Sequence, residues 1–200
     1  MKSIRNKVRE EEKAQATAKA VTYDEPEIAR LIERAAGGDF EAFGKLYIIY
    51  VERIYRYVFY QVRDKMTAED LTEEIFLKAW RAIGSCKGKE QTFSPWLYRI
   101  ARNHVIDNLR SQRKYPTTEI ETLAGVSDPQ LEVEANLERQ ELLEMISCLP
   151  QNQKQVIILK FIDGLDNREI GQIIGKSQGA VRVLQMRALA TLRQRLSREK

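Results

Sequence analysis

The pattern that decides the fold lies near the C-terminus, where residues 166–192 read DNREIGQIIGKSQGAVRVLQMRALATL. Gly175 permits a sharp turn between two helical stretches, and Ser177 can cap the second helix because its hydroxyl accepts from free backbone N–H groups. Apolar residues recur at three- and four-residue steps on both sides of this turn: Ile170, Ile173, Ile174, Val181, Leu184, Ala188 and Leu192. The stretch therefore predicts a helix-turn-helix.

The second of these helices has an outward face that is mostly polar or basic. Its members are Gln178, Arg182, Gln185, Met186 and Arg187. A DNA-recognition helix has the same division, with small and apolar residues inside and Arg and Gln outside, where they reach base edges and phosphates. The alternative is a helical hairpin with a solvated basic surface. The turn, the cap and the basic second helix together favour DNA binding.

The rest of the chain also has helical periodicity, without β alternation of useful length or an internal repeat. Pro26 and Asp39 indicate helix starts, and Thr67 with Asp70 three residues later resembles a capping box. A further helix is predicted to begin at the pair Ser94–Pro95. These signals place helices along most of the chain.

One stretch lacks this periodicity and separates two helical parts. Residues 114–131 contain Pro116, Gly125 and Pro129, a composition typical of an interdomain linker. We expect an all-α fold of two small helical domains joined by a flexible linker, with the helix-turn-helix in the C-terminal domain. The predicted boundaries are a mobile N-terminal extension over 1–24, a first domain over 25–113 and a second domain over 132–200.

Composition bounds the classes of function. The chain has 200 residues, 43% of them hydrophobic and 31% charged, and contains neither an apolar run of membrane-spanning length nor a signal-peptide core. A cytoplasmic protein without membrane insertion is expected. Cys86 and Cys148 form no CxxC motif and His104 is the single histidine, so we expect no zinc site and no cofactor.

Charge is unevenly distributed along a chain whose net charge is +4 and whose pI is about 9.0. Residues 94–114 and 165–200 are rich in Lys and Arg, whereas residues 115–149 are acidic. Two basic blocks separated by an acidic stretch suggest two contacts with anionic partners, joined by a connector. Ordinary solvated helix faces are the alternative.

The first basic block, over residues 94–113, reads SPWLYRIARNHVIDNLRSQR. Opposite its apolar face lies a polar stripe, which consists of Arg99, Arg102, Asn103, Arg110 and Arg113. The preceding loop, residues 85–93, adds Lys87, Lys89 and Phe93. Bases of an unstacked strand stack on rings while Arg and Lys hold phosphates, so this segment, with Trp96, predicts single-stranded DNA binding. Trp96 taken alone more often belongs to a core.

An acidic helix is predicted over residues 68–80, which read AEDLTEEIFLKAW. The side chains of Asp70, Glu73, Glu74 and Lys78 lie away from its apolar face. Such a helix does not suit DNA; it suits a protein partner with basic residues. A solvated face is the alternative.

Signals for catalysis are weak, and the protein is not expected to be an enzyme. The chain has no phosphate-cradling glycine loop. His104 stands at helical spacing from Leu97 and Ala101, which favours a position at the edge of a core over a catalytic base. Cys86, in a lysine-flanked loop, is either an activated thiol or, as we favour, an incidental cysteine.

The order and spacing of these motifs resemble a known family. The residues that carry the resemblance are AEDLTEEIFLKAW (68–80), TFSPWLYRIARNHVIDNLR (92–110) and LPQNQKQVIILKFIDGLDNREIGQIIGKSQGAVRVLQMRALATLR (149–193). They resemble the extracytoplasmic-function sigma factors, the minimal group of the sigma-70 family, over residues 27–197. On the length of this sequence we expect none of the extra domains of larger sigma factors.

The resemblance implies three groups of site residues. Those that match the segment docking on the polymerase clamp are Asp70, Leu71, Glu73, Glu74, Phe76 and Trp80. Those that match the loop and helix that read and melt the −10 promoter element are Lys87, Lys89, Phe93, Trp96, Arg99, Arg102, Asn103 and Arg110. Those that match the −35 reader are Gln178, Gly179, Arg182, Val183, Met186 and Arg187.

The resemblance also implies partners. They are the RNA polymerase core at its clamp and flap regions, promoter DNA as duplex at −35 and single strand at −10, and an anti-sigma factor. Glu73 departs from the family, because a glutamine is common there, and so do Ala180 and Val183, where hydroxyl or basic residues are frequent. An apolar Val183 favours a thymine methyl over a phosphate.

Two other function classes stay open at this point. A stand-alone helix-turn-helix regulator would bind duplex DNA without polymerase, and a helical adaptor would carry basic faces with no nucleic-acid role. An acidic docking helix beside an aromatic and basic stripe discriminates against a simple repressor, which has no need of either.

Overall fold

The computed structural model describes residues 25–86, 93–114, 141 and 143–197, and within these ranges the fold is all-α. The N-terminal domain consists of α1 (Glu25–Ala36), α2 (Phe40–Val62), α3 (Lys65–Ala82) with a 3-10 turn (Ile83–Ser85), and α4 (Phe93–Lys114). The C-terminal domain consists of α5 (Gln151–Ile157), a π-helical turn (Ile158–Ile162), α6 (Asn167–Ile174) and α7 (Gln178–Leu196). The predicted extension over 1–24 and the linker from residue 115 onwards lie outside the described residues.

The N-terminal domain is organised around α2, which packs against α1, α3 and α4. Each of these helices turns an apolar stripe toward α2, as the three- and four-residue spacing predicts. Large side chains with no exposed surface in this core include those of Leu46, Ile54, Tyr57, Ile75 and Leu97. Full burial of one such side chain contributes about 1.5–3 kcal/mol, so this shared core fixes the position of α3 and α4, which carry the predicted contact residues.

The start of α3 differs from the sequence prediction. The capping box predicted at Thr67 and Asp70 is wrong, because α3 begins at Lys65 and its N-cap is Asp64. The Asp64 carboxylate accepts a hydrogen bond of 2.7 Å from the Thr67 backbone N–H. Arg63, in the left-handed conformation with φ 64°, ends α2 immediately before this cap. Both Asp64 and Thr67 are capping residue types, and the turn at Arg63 decides between them.

The helix-turn-helix in the C-terminal domain is confirmed. Asp166 and Glu169 form a capping box at the start of α6, and Gly175 ends α6 in the left-handed conformation with φ 67°. The Ser177 hydroxyl then accepts from the Ala180 backbone N–H at 3.2 Å and caps α7. Because α7 packs on α5 and α6, the turn sets the angle at which α7 is presented.

Among the glycines of this motif, Gly171 has the least room for a side chain. A Cβ at this position would lie 2.6 Å from the Lys176 carbonyl oxygen, a backbone atom that cannot swing aside. We expect Gly171→Ala to lower the free energy of unfolding by roughly 1–2 kcal/mol, as overpacking does. Thermal unfolding followed by circular dichroism measures it. Gly179→Ala is the matched control, because its Cβ would meet only the Ser177 hydroxyl at 3.9 Å. Equal melting temperatures for both variants would contradict the prediction.

The two domains are in direct contact. Helix α6 packs against α4, and the π-helical turn packs against α2. Nothing in the sequence pattern predicts this contact, because hydrophobic periodicity shows that a helix has a buried face without showing what covers it.

Candidate nucleic-acid and protein interfaces

The recognition helix α7 exposes the −35 residues predicted from the sequence. Val181 and Ala188 are fully buried against the domain and so fix the rotation of α7 about its axis. The residues thereby turned outward, all of them exposed, are Gln178, Gly179, Arg182, Val183, Met186 and Arg187. They follow one another at helical steps and form a single continuous face, which we name the recognition face.

The recognition face has the chemistry that major-groove reading requires. Arg182 and Arg187 offer planar guanidinium groups that donate to guanine or to phosphate, and Gln178 at the first turn can donate and accept. Val183 and Met186, 42% and 65% exposed, provide apolar contact suited to a thymine methyl group. The positive end of the helix dipole at Gln178 adds attraction for a phosphate.

The aromatic residues predicted to receive an unstacked base lie in the core instead. Phe93 is 1% exposed and Trp96 is 5% exposed. Their ring centroids are 5.4 Å apart, and the ring of Tyr50 on α2 lies 5.1 Å from that of Phe93. In this conformation neither Phe93 nor Trp96 has a free face for a base. Phe93 anchors the first turn of α4 to α2 through Tyr50, and the buried Trp96 packs on Phe93, which agrees with the core alternative considered for Trp96.

The polar stripe on α4 is largely accessible. Arg99, Asn103 and Arg110 are exposed, and the Arg110 guanidinium lies 3.7 Å from the Asp107 carboxylate in a solvent-exposed pair. Such a pair contributes little and leaves Arg110 available to phosphate. Arg102 differs, because it is half-buried and its Nε donates to Gln155 Oε1 of the C-terminal domain at 3.0 Å. Lys87, Lys89 and the side chain of Arg113 lie outside the described residues.

Some of the contact residues predicted on the acidic helix α3 lie at the surface, and others lie in the core. Asp70, Glu73 and Glu74 are exposed, as the sequence predicts. Leu71 and Phe76, 5% and 4% exposed, belong to the core and hold the helix in place. Trp80 is half-buried. A rigid helix that displays carboxylates on one side suits a basic protein surface.

Two aromatic residues next to this helix are exposed, which sequence analysis did not predict. Phe40 and Tyr47 stand at three- and four-residue steps from buried residues of α2 such as Phe43 and Tyr50, yet they are 72% and 39% exposed. Their rings pack edge-on against those of Trp80 at 5.7 Å and Phe76 at 4.7 Å. The acidic helix is therefore bordered by an exposed aromatic ridge, and exposed aromatic surface is enriched at protein interfaces.

His104 is a further residue whose surroundings sequence reasoning missed. It lies on α4, and its ring joins two residues of α3: Nδ1 is 2.5 Å from Lys78 Nζ, and Nε2 is 2.6 Å from Glu74 Oε2. An ammonium group only donates, so Nδ1 accepts from Lys78 and Nε2–H donates to Glu74. This bridge orients the Glu74 carboxylate on the exposed side of α3.

Among the described residues, the cysteine environment and the metal-ligating side chains were the other candidates for site chemistry. Burial raises the pKa of the Cys86 thiol, and the nearby Arg99 opposes that effect only in part, so Cys86 is not an activated thiol. The described ranges contain no cluster of three or more His, Cys, Asp or Glu side chains placed to bind a metal ion. No helix in those ranges is long and apolar enough to cross a bilayer.

Comparison with known proteins assigns the chain to a family. The profile of sigma-70 region 2 matches residues 46–115, and that of sigma-70 region 4 matches residues 139–192. The ECF RNA polymerase sigma factor BldN of Streptomyces coelicolor is 38% identical over 177 residues, which cover 86% of this chain and 67% of BldN. The ECF RNA polymerase sigma factor SigW of Bacillus subtilis is 33% identical over 181 residues, which cover 84% of this chain and 96% of SigW.

A solved structure shares the fold. The sigma factor RpoE, in complex with the anti-sigma factor NepR from Bartonella quintana, superposes with a TM-score of 0.65 at 20% identity, covering 79% of this chain and 98% of RpoE. Family profiles, curated relatives and fold agree with the resemblance that the motifs carry. The chain belongs to the extracytoplasmic-function RNA polymerase sigma factors of the sigma-70 family.

Proposed function

We propose that this chain directs the RNA polymerase core to its promoters by reading the −35 and −10 elements, and that it helps to open the DNA without being an enzyme itself. The observation that carries this proposal is the pairing, in one chain, of an exposed recognition face on α7 with an exposed acidic helix α3. The first suits duplex DNA and the second suits a basic protein. A stand-alone helix-turn-helix regulator does not need an exposed acidic helix for docking on a protein partner.

In this proposal the two domains contact different parts of the polymerase and of the promoter. Residues 25–113 dock on the polymerase clamp through the carboxylates of α3 and the aromatic ridge beside it, and act on the −10 element through the loop over 85–93 and the polar stripe of α4. Residues 132–200 bind the flap region and read the −35 element with the recognition face. Phe93 and Trp96 support this from the core by holding α4 in place, since both are buried.

Strand opening in this proposal requires no ATP. The free energy of unpairing is offset when flipped bases and the separated strand bind the loop and the polar stripe. The protein works where the polymerase is, in the cytoplasm. An anti-sigma factor is a further partner, supported by the RpoE likeness, because that sigma factor is found in complex with NepR.

Run-off transcription with purified core polymerase tests the proposal. Genomic DNA fragments serve as templates, with and without the protein. We expect discrete transcripts only when the protein is present. A protein that shifts duplex DNA on its own but leaves transcript patterns unchanged would be a stand-alone regulator, and the proposal would be abandoned.

Charge reversal on α3 tests the docking surface. We expect Glu74→Lys to weaken binding to core polymerase about tenfold, because a cation would replace a carboxylate facing a basic surface. Surface-immobilised core and purified variants measure the affinity. Glu73→Lys repeats the test without disturbing the His104 bridge, and Glu33→Lys, exposed on α1, is the control. Unchanged affinity in Asp70→Lys, Glu73→Lys and Glu74→Lys alike would remove α3 from the interface.

A further inference from the structure

The ring of His104 lies between two charged side chains of the docking helix. Glu74 and Lys78 stand one turn apart on α3, a spacing at which a carboxylate and an ammonium group can pair directly. In the described part of the chain no direct ion pair joins these two residues. The imidazole reaches across from α4 instead, with Nδ1 2.5 Å from Lys78 Nζ and Nε2 2.6 Å from Glu74 Oε2.

Both ends of the bond between His104 and Glu74 are attached to backbone that the core holds in place. Val105, next to His104 on α4, is 1% exposed, and Ile75, next to Glu74 on α3, has no exposed surface. Close packing on both sides keeps the two helices from rotating. The side chain of His104 is itself 12% exposed, whereas that of Glu74 is 58% exposed. A mostly covered ring therefore fixes a carboxylate that a partner can reach.

Glu74 differs in this respect from the other exposed carboxylates assigned to docking. Asp70 and Glu73 are also exposed on α3, but within the described ranges neither side chain makes a hydrogen bond or an ion pair. A side chain that moves freely in solution loses rotamer entropy when a partner binds it, and this loss weakens binding. Glu74 is already ordered in the folded protein, so its contact with a partner costs less free energy.

The histidine also leaves the negative charge of Glu74 in place. An ammonium group only donates hydrogen bonds, so Nδ1 accepts from Lys78 and the Nε2–H group donates to Glu74. The ring in this arrangement is neutral, and a neutral donor orders a carboxylate without cancelling its charge. A lysine or arginine in place of His104 would form an ion pair with Glu74 and reduce the attraction for a basic partner.

We propose that His104 is a positioning residue for binding to the core polymerase, which acts by holding the Glu74 carboxylate in the orientation that a basic group of the polymerase binds. This role rests on the proposed function, which places α3 against the polymerase. The bridge from His104 to Glu74 is a property of the free protein and can be measured without polymerase.

Nuclear magnetic resonance of the free full-length protein, purified without a histidine tag, tests the bridge. His104 is the only histidine of the chain, so its imidazole signals identify themselves. In mildly alkaline buffer, where imidazole is neutral, we expect the Nε2-protonated tautomer to predominate and its N–H proton to exchange slowly with water. Glu74→Ala should make that exchange fast, and Glu73→Ala should not. A mainly Nδ1-protonated ring, or fast exchange in the parent protein, would overturn the bridge.

A double-mutant cycle with core polymerase tests the positioning role. His104→Leu keeps a side chain of similar size without hydrogen bonds, and we expect it to lower the affinity about fourfold, because the freed Glu74 must then be ordered on binding. Glu74→Ala should lower the affinity about fivefold. The combined variant should bind no more weakly than Glu74→Ala alone, whereas two independent losses would multiply to about twentyfold. A general loosening of the domain would also persist in the Glu74→Ala background, so the cycle excludes it.

A conservative variant separates the hydrogen bond from packing. His104→Gln places an amide N–H group near the position of Nε2–H, so it should bind core polymerase more tightly than His104→Leu. Gln112→Ala, exposed near the end of α4, is the control and should match the parent protein.

Three results would overturn the positioning role: parent-like affinity in His104→Leu, multiplied losses in the combined variant, or equal affinities in His104→Gln and His104→Leu. The cycle measures binding to the core polymerase alone. Its failure is therefore distinguishable from the absence of discrete transcripts in run-off transcription, which would count against the proposed function.

Discussion

Trp96→Ala should lower the free energy of unfolding of the N-terminal domain by about 3–5 kcal/mol, the cost typical of removing a large aromatic side chain from a core. The reason is that Trp96 is 5% exposed and packs on Phe93, which in turn packs on Tyr50. The resulting cavity would loosen the first turn of α4. Chemical denaturation followed by circular dichroism measures the loss.

Promoter opening separates this core role from base capture. On a pre-melted promoter bubble, Trp96→Ala should stay defective, because the bubble supplies open DNA and cannot restore a loosened domain. Arg99→Ala is the matched variant, since Arg99 is exposed on the same helix. It should keep the parent stability, and the bubble should rescue it. If Trp96→Ala keeps the parent stability and the bubble rescues it, the tryptophan acts on the strand and the core role is wrong.

Local chemistry explains which parts of the fold the sequence predicts well. Asp39, Gly175 and Ser177 act at the helix ends where the pattern places them, because a cap depends on residues within one turn. The recognition face is likewise predictable, since burial of Val181 and Ala188 leaves only one side of α7 free. Where two capping residues compete, as Asp64 and Thr67 do, the preceding turn decides, and sequence pattern alone chooses wrongly.

Tertiary packing explains what sequence does not predict. An aromatic at helical spacing is compatible with either core or surface, which is why Trp96 lies inside while Phe40 and Tyr47 lie at the surface. The His104 bridge and the bond of Arg56 Nη2 to Asp163 Oδ1 join residues far apart in the chain, and periodicity is silent about such pairs. In the candidate sites, the exposure of the carboxylates and arginines was therefore predictable from the sequence. The contacts that hold these side chains in place, such as the bond between His104 and Glu74, were not.

Arg182→Ala should weaken binding of the reconstituted holoenzyme to duplex −35 DNA by roughly 1–3 kcal/mol, up to about a hundredfold, if the guanidinium donates to a base edge. Arg182 is exposed on α7 next to Gln178, near the helix N-terminus, where recognition helices contact bases. Truncation at an exposed site leaves the fold intact, so the loss belongs to DNA binding. Selection from a randomised duplex pool, followed by affinity measurements on the selected sequences, gives the magnitude.

The way in which the loss of DNA affinity in Arg182→Ala varies with DNA sequence distinguishes a base contact from a phosphate contact. If Arg182 reads a base, the Arg182→Ala protein should tolerate changes at one or two adjacent positions and keep its preferences elsewhere. A phosphate contact would instead weaken all sequences together and reduce the dependence of affinity on salt, because fewer counterions are released. Arg195→Ala, exposed near the far end of α7, is the control and should leave the selected sequence unchanged. Parent-like affinity and sequence preference in Arg182→Ala would remove this residue from the recognition face.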